Sequence, residues 1–255
     1  MPSRASVHPT PIDSYDMRVL IAGAAGGVAG LLLPGLRERH DVRETDLRGP
    51  NEGDLTDPAF AARMVEGMDA VVHLAANANP EATWDELYST NVVAAATLLD
   101  AAAGASVRKV VLASSGHAMG QYVHPDALVS PALPPAPCCP YGATKAFVEA
   151  AGRVAAYRHG LQVVVLRLGA VYPVPPALEA MPAWLAPDDL ERLVDRALEA
   201  DVRFTACHGM SANQPAQWDL ANDIGYRPLS DSSRYDGEVP DLPGWGVCPG
   251  ASRTR

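Results

Sequence analysis

The chain has 255 residues, 48% of them hydrophobic, and a formal net charge of −10. That length and apolar content can bury a sizeable core. The acidic balance and the scatter of its Lys and Arg residues speak against a nucleic-acid partner, whose phosphates need a concentrated basic surface, and no run reaches the roughly 18 uninterrupted apolar residues of a membrane span.

A small-molecule substrate is expected, with neither nucleic acid nor membrane as partner; a homo-oligomer is left open. Four cysteines, two of them adjacent as Cys138 and Cys139, show no CxxC or His/Cys spacing of the kind that builds a zinc site. No metal is expected, and the cysteines read as reduced thiols of a cytoplasmic protein. Residues 1–16 carry three prolines and no apolar h-region, so they read as a disordered extension rather than a signal peptide. Met17 directly precedes the first strand and is a second candidate start.

From Met17 onward, short Val/Ile/Leu-rich runs alternate with alanine-rich stretches of helical character. Strands are expected at 18–22, 42–46, 70–74, 109–114, 162–168 and 202–206. Helices are expected at 27–39, 58–66, 83–103, 141–159 and 187–200. This alternation predicts an α/β fold, a doubly wound parallel sheet whose ligand crevice lies at the carboxyl ends of its strands. Residues 17–230 form one domain in this reading. The proline-rich loops at 116–140 and 170–187 are candidate substrate loops, and 231–255 reads as a loop-rich tail.

The first strand runs into Gly23-Ala24-Ala25-Gly26-Gly27-Val28-Ala29-Gly30 and then an apolar helix. Glycines there let backbone approach a pyrophosphate, which sits on the free N–H groups of the helix N-terminus. Ala25 and Val28 share that turn. Asp46, about 20 residues on, can accept hydrogen bonds from ribose hydroxyls, which favours NAD; Arg43 and Arg48 leave NADP open. Asp54 and Leu55 either cap an adenine edge or start a helix. Leu74, Ala75 and Ala76 follow the third strand, where small residues admit a cofactor, and His73 before them reads as a packed ring.

Tyr141-Gly142-Ala143-Thr144-Lys145 opens a helix, and its four-residue spacing stacks phenol and ammonium on one face. A cation within a few ångströms favours the phenolate, so the pair is a candidate acid/base. With eight tyrosines and two lysines in the chain, a chance match is expected only about 0.06 times. Ser114 and Ser115 end the fourth strand; Ser115 is the candidate to hold the substrate oxygen. Asn91 is a candidate to bridge a water to Lys145, and His117 to donate to the substrate.

Together these residues resemble the extended short-chain dehydrogenases/reductases, the group that includes sugar-nucleotide epimerases and dehydratases. Gly23 and Gly26, Asp46, Asp54-Leu55, His73 to Ala76, Asn91, Ser114-Ser115, Tyr141 to Lys145 and Arg167-Leu168-Gly169 occur in that family's order. Ala29 replaces its third glycine. The resemblance implies a Rossmann fold with a small C-terminal substrate-binding portion. A closer likeness is to the uronate dehydrogenases, which oxidise C1 of a hexuronic acid to the aldarolactone with NAD. It is carried by Ala113 to His117 with Met119-Gly120, the 184–198 region, Ser211-Ala212-Asn213 with Trp218-Asp219, and Ile224 to Pro228. It implies Ser115, Tyr141 and Lys145 as the catalytic triad and His117 as a substrate contact.

The substrate positions depart from that family. Ala78 and Ala170 stand where it has serines, Gly116 where it has asparagine, and Glu179 where it has the arginine that clamps the substrate carboxylate. A carboxylate facing a carboxylate is repelled. The expected function is therefore an NAD(P)-dependent oxidoreductase interconverting a secondary alcohol and a ketone on a small sugar-, cyclitol- or nucleoside-like metabolite. A uronate dehydrogenase, a sugar-nucleotide epimerase or dehydratase, and a non-catalytic NAD sensor are the alternatives.

Overall fold

The computed structural model describes residues 16–105 and 107–247. Six strands form one all-parallel sheet: β1 (Arg18–Ala22), β2 (Asp41–Thr45), β3 (Ala70–His73), β4 (Lys109–Ser115), β5 (Gln162–Leu168) and β8 (Phe204–Gly209), in the spatial order β2-β1-β3-β4-β5-β8. β3 lies on the side of β1 opposite to β2. Progress across the sheet therefore reverses at β1, and a crevice opens there beyond the carboxyl ends of the strands.

The sheet is buried on both faces, and the period-two alternation of side chains divides the core. Val19, Ile21, Val72, Val111 and Val164 pack toward α1 (Gly27–Arg39) and α6 (Pro187–Glu199). Leu20, Val71, Val110, Leu112 and Val163 pack toward α2 (Pro58–Val65), α4 (Ala94–Gly104) and α5 (Pro140–His159). Close approach on this second face requires Gly152, since a Cβ there would lie 2.5 Å from Leu112 Cδ1.

The helix expected at 83–103 is broken. α3 (Trp84–Leu87) opens on a capping box between Thr83 and Glu86, and a π-helical turn at Tyr88–Val93 precedes α4. The turn brings Asn91 into the interior, where its amide nitrogen donates to Asn77 O at 2.9 Å and Thr144 Oγ1 at 3.1 Å, and its oxygen accepts from Asn77 N at 2.8 Å. Side-chain bonds that tie the β3 exit loop to α5 are the local reason for the wider turn.

The last strand begins at Phe204 rather than 202, a start fixed by pairing with Val163. Two short segments, β6 (Ala170–Val171) and β7 (Trp184–Leu185), pair in parallel near the crevice and are too brief to leave a pattern in the sequence. The chain after β8 is better packed than expected. Asp189, buried in the first turn of α6, accepts from Ser211 Oγ at 2.7 Å, Leu229 N at 2.8 Å and Ser230 N at 3.0 Å. Ser232 and Val239 are buried beyond it. The expected extension lies outside the described residues except for Asp16. Among the described residues no helix is long and apolar enough to cross a membrane.

Candidate active site

The turn after β1 is shaped by packing as much as by a ligand. Gly23 adopts φ +94°, and a Cβ there would overlap the Ala75 backbone, so the β1 and β3 exits meet only because this residue is glycine. Gly27, by contrast, has open space where its Cβ would point. α1 starts with Gly26 as N-cap, without a side-chain cap and without an acidic residue in its first turn. Its N–H groups are therefore presented toward the cleft, as an anionic pyrophosphate requires.

Asp46 stands across this turn, with Oδ2 accepting from Ala25 N at 3.0 Å and Oδ1 from Leu47 N at 2.7 Å. Gly27, Val28, Leu31, Leu74 and Ala76 line the same cavity, of about 730 Å³, as Ser115, Tyr141 and Lys145. The residues present fit a dinucleotide. Leu55 is buried in the core, and the exposed Asp54 accepts through Oδ1 from Thr56 N at 2.8 Å in the turn before α2, whose N-cap is Asp57. Asn91 is hydrogen-bonded to Asn77 and Thr144.

The two serines at the end of β4 diverge because successive strand residues face opposite sides. Ser114 Oγ donates to Glu149 at 2.6 Å. Ser115 stands near enough to Tyr141 for its hydroxyl to favour the phenolate, and its Oγ accepts from His117 N at 3.2 Å. Lys145, on the next turn of α5, donates Nζ to Ala113 O at 2.8 Å and lies 5.8 Å from the Tyr141 ring centroid.

The expectation that Lys145 lowers the tyrosine pKa is not met in this state. Burial raises the Tyr141 phenol to about 12, with the nearby Ser115 hydroxyl opposing it. Burial also lowers Lys145 to about 8. Both groups are driven toward their neutral forms, because desolvation penalises the charged one.

His117 lines the cavity and meets the Tyr141 ring edge-on at 5.6 Å. Its burial lowers the imidazole pKa to about 4. Chain spacing does not reveal how the cysteines cluster: Cys139 Sγ lies 3.6 Å and Cys138 Sγ 4.0 Å from His117 Nδ1. Cys138 is disulfide-bonded, correcting the expectation of a reduced thiol there, whereas Cys139 and Cys207 are free.

Ala78, Gly116 and Ala170 line the cavity as expected. A Cβ at Gly116 would sit 3.3 Å from Trp218, 3.4 Å from Val247 and 3.5 Å from Met210, so an asparagine would crowd that wall. Glu179 does not face the substrate space. Its Oε2 accepts from Gly244 N at 3.0 Å, Trp245 N at 3.3 Å and Gly246 N at 3.2 Å, and residues 244–247 themselves wall the cavity. Trp245 also packs edge-on against Tyr172 at 5.6 Å. The expected carboxylate against the substrate is thus an anchor for the tail, whose N–H groups were invisible to a count along the loop.

Residues 19–202 match the NAD dependent epimerase/dehydratase family. The chain is 34% identical over 249 residues to L-arabinose 1-dehydrogenase (NAD(P)(+)) of Haloferax volcanii, covering 85% of this chain and 98% of that protein. It is 32% identical to uronate dehydrogenase of Pseudomonas syringae pv. tomato, covering 94% and 90%. A mutant of uronate dehydrogenase from Agrobacterium tumefaciens, solved in complex with NAD, superimposes with a TM-score of 0.82 at 26% identity over 90% of this chain and 92% of that one. With the glycine turn, Ser115, Tyr141 and Lys145 at one cleft and Asp46 bound to that turn, the chain belongs to the NAD dependent epimerase/dehydratase family and is an NAD(P)-dependent enzyme of the short-chain dehydrogenase/reductase type.

Proposed function

We propose that the protein is an NAD-dependent dehydrogenase of a neutral, sugar-like metabolite, oxidising a ring hydroxyl to the carbonyl. The observation that carries this reading is the cavity wall: among the described residues lining it, Lys145 is the one cation of the Lys/Arg type, and its ammonium is engaged by Ala113 O. A uronate carboxylate would find no arginine fork there. The relative named for L-arabinose, a neutral sugar, supports the same substrate class.

In this mechanism NAD, when bound, supplies the hydride acceptor. The N–H groups of Gly27 and Val28 would hold its pyrophosphate, Asp46 its adenosine ribose, and Tyr141 with Lys145 its nicotinamide ribose, whereas the Gly26 N–H is taken by Gly23 O at 3.1 Å. Ser115 Oγ and Tyr141 Oη grip the substrate hydroxyl, and Tyr141 takes its proton as the carbon–hydrogen bond breaks. The nearby Ser115 hydroxyl favours the phenolate against the desolvation that raises it. The apolar lining of Gly116, Ala170, Val171 and Val247 suits a face of the sugar that lacks a bulky polar substituent.

Initial rates of NADH formation on neutral aldoses, D-glucuronate and D-galacturonate test the proposal. The best neutral sugar should exceed either uronate by at least about tenfold in kcat/KM, since the uronate would be desolvated without a partner. Tyr141→Phe should cost about 10² to 10⁴ in turnover while leaving NAD binding intact. The uronate dehydrogenase relatives favour a second reading, and equal or better turnover of a uronate would establish it in place of ours.

A further inference from the structure

His117 Nδ1, Cys138 Sγ and Cys139 Sγ all lie within 4.8 Å of one another, with nitrogen-to-sulfur edges of 3.6 and 4.0 Å. A tetrahedral zinc ion, with Zn–S near 2.3 Å and Zn–N near 2.05 Å, needs edges of about 3.6 to 3.8 Å between its ligands. Its two nitrogen-to-sulfur edges already have close to that spacing, though the residues they join are 21 and 22 apart in sequence. What prevents ligation in the state described is covalent, because the Cys138 sulfur is held in a disulfide.

We propose that reduction of the Cys138 disulfide converts this cluster into a binding site for a soft divalent cation such as Zn²⁺, ligated by His117 Nδ1 and the thiolates of Cys138 and Cys139. Reduction by a phosphine breaks the S–S bond: the phosphine gives two electrons and becomes its oxide, and water supplies the oxygen and the two protons that leave Cys138 and its partner as thiols. A cellular dithiol achieves the same by exchange, ending as a disulfide itself. The cation then displaces one proton from each of the two thiols into solvent.

The ligand set selects the ion. Two thiolates and an imidazole favour soft cations over Mg²⁺ or Ca²⁺, and among the described residues that line the adjoining cavity none is acidic. The site also bears on the cleft. The His117 ring packs against Tyr141, and Cys139 is the N-cap of α5, its sulfur accepting from Gly142 N at 3.3 Å two residues before the tyrosine. An ion bound here would fix an imidazole that walls the substrate space and lock it to the start of the helix that carries Tyr141.

The test is a titration of the full-length protein with Zn²⁺ in competition with a chromogenic chelator, before and after phosphine reduction, beside Co²⁺ absorption spectra. Reduced protein should bind one equivalent with a Kd of about 1 μM or tighter. Unreduced protein should bind at least about 100-fold more weakly, and Cys138→Ser and Cys139→Ser at least about tenfold more weakly than the reduced wild type. Cobalt should give a thiolate-to-metal charge-transfer band. Equal binding by reduced and unreduced protein, or a cobalt spectrum without that band, overturns the proposal. The wild-type spectrum decides the matter even if a serine variant fails to fold. Zinc should also suppress turnover of the reduced enzyme; that effect rests on the dehydrogenase reading, whereas the binding readouts do not.

Discussion

Ser114 Oγ donates to Glu149 Oε1 at 2.6 Å, turning its hydroxyl away from Tyr141. Its neighbour Ser115 instead stands beside Tyr141, where its hydroxyl favours the phenolate. Two chemically identical side chains at adjacent positions thus have separate tasks, set by the alternation of the strand. Ser115→Ala should lower kcat about 10² to 10³-fold, the loss typical of removing one positioned donor to the reacting oxygen. Ser114→Ala should leave kcat within about threefold and lower stability by about 1 kcal/mol, the net worth of one hydrogen bond. Steady-state rates and thermal melts on both variants check the assignment, and a reversed pattern would exchange the two roles.

Glu149 is more than a partner for serine. Its carboxylate also receives Arg167 Nε at 3.0 Å and Nη2 at 2.8 Å, both residues being almost completely buried, while Arg167 Nη1 donates to Pro131 O at 3.0 Å. The clasp joins α5 to β5 directly behind the Ser115–Tyr141 pair. Glu149→Gln leaves a guanidinium in the interior without its counter-charge and should cost about 3 to 5 kcal/mol. Glu149→Met with Arg167→Met removes both charges and should cost less than the sum of the single changes. Denaturant unfolding of the wild type, Glu149→Met, Arg167→Met and their double variant measures the coupling; strict additivity would show that the two side chains act independently.

The sheet was readable because five of its strands are short apolar runs flanked by turn residues, and burial on both faces is written directly into such runs. The bounds of β1, α1 and β5 agree with the expectation for that reason. The glycine turn and Tyr141 with Lys145 were readable because their geometry is local, one turn or one helical step. What could not be read depends on chain closure. Glu179 meets N–H groups 65 to 67 residues away, and His117 meets cysteines across a proline-rich loop whose path has no periodicity. The π-helical turn escaped notice because the bonds of Asn91 that widen it reach Asn77 and Thr144 outside the helix. The tyrosine pKa was misjudged because spacing reports proximity of charge and says nothing of desolvation.

Burial of neutral histidines gives stability a defined pH window. Desolvation lowers His73 to about 3 and His208 to about 4, from an ordinary value of 6.5. A folded-state pKa below the unfolded one means that the unfolded chain takes up protons first. The contribution is fully present above about 6.5 and is lost as pH falls from there toward the folded values. Between pH 7.5 and 5.5 each histidine should remove about 1.4 kcal/mol, roughly 3 kcal/mol for the pair. Urea unfolding across that interval measures the slope, and His73→Leu and His208→Leu should each flatten it by about half of the pair's share. Unchanged slopes in both variants would remove histidine burial as the cause.

Glu179 closes the substrate cavity by proxy. Three tail N–H groups converge on one carboxylate oxygen, and the edge-on contact of Trp245 with Tyr172 holds the same segment from the other side. Hydrogen bonds to a charged acceptor are the stronger kind, although exposure of Glu179 to solvent screens these. Glu179→Ala should therefore loosen residues 244–247 without disturbing the reacting groups, raising KM about tenfold while kcat stays within about threefold. Amide hydrogen exchange at Trp245 and Gly246 should quicken in the variant, which a side chain acting on substrate alone would not produce. If exchange is unaltered and kcat falls instead, Glu179 works directly at the substrate, and the tail is a bystander.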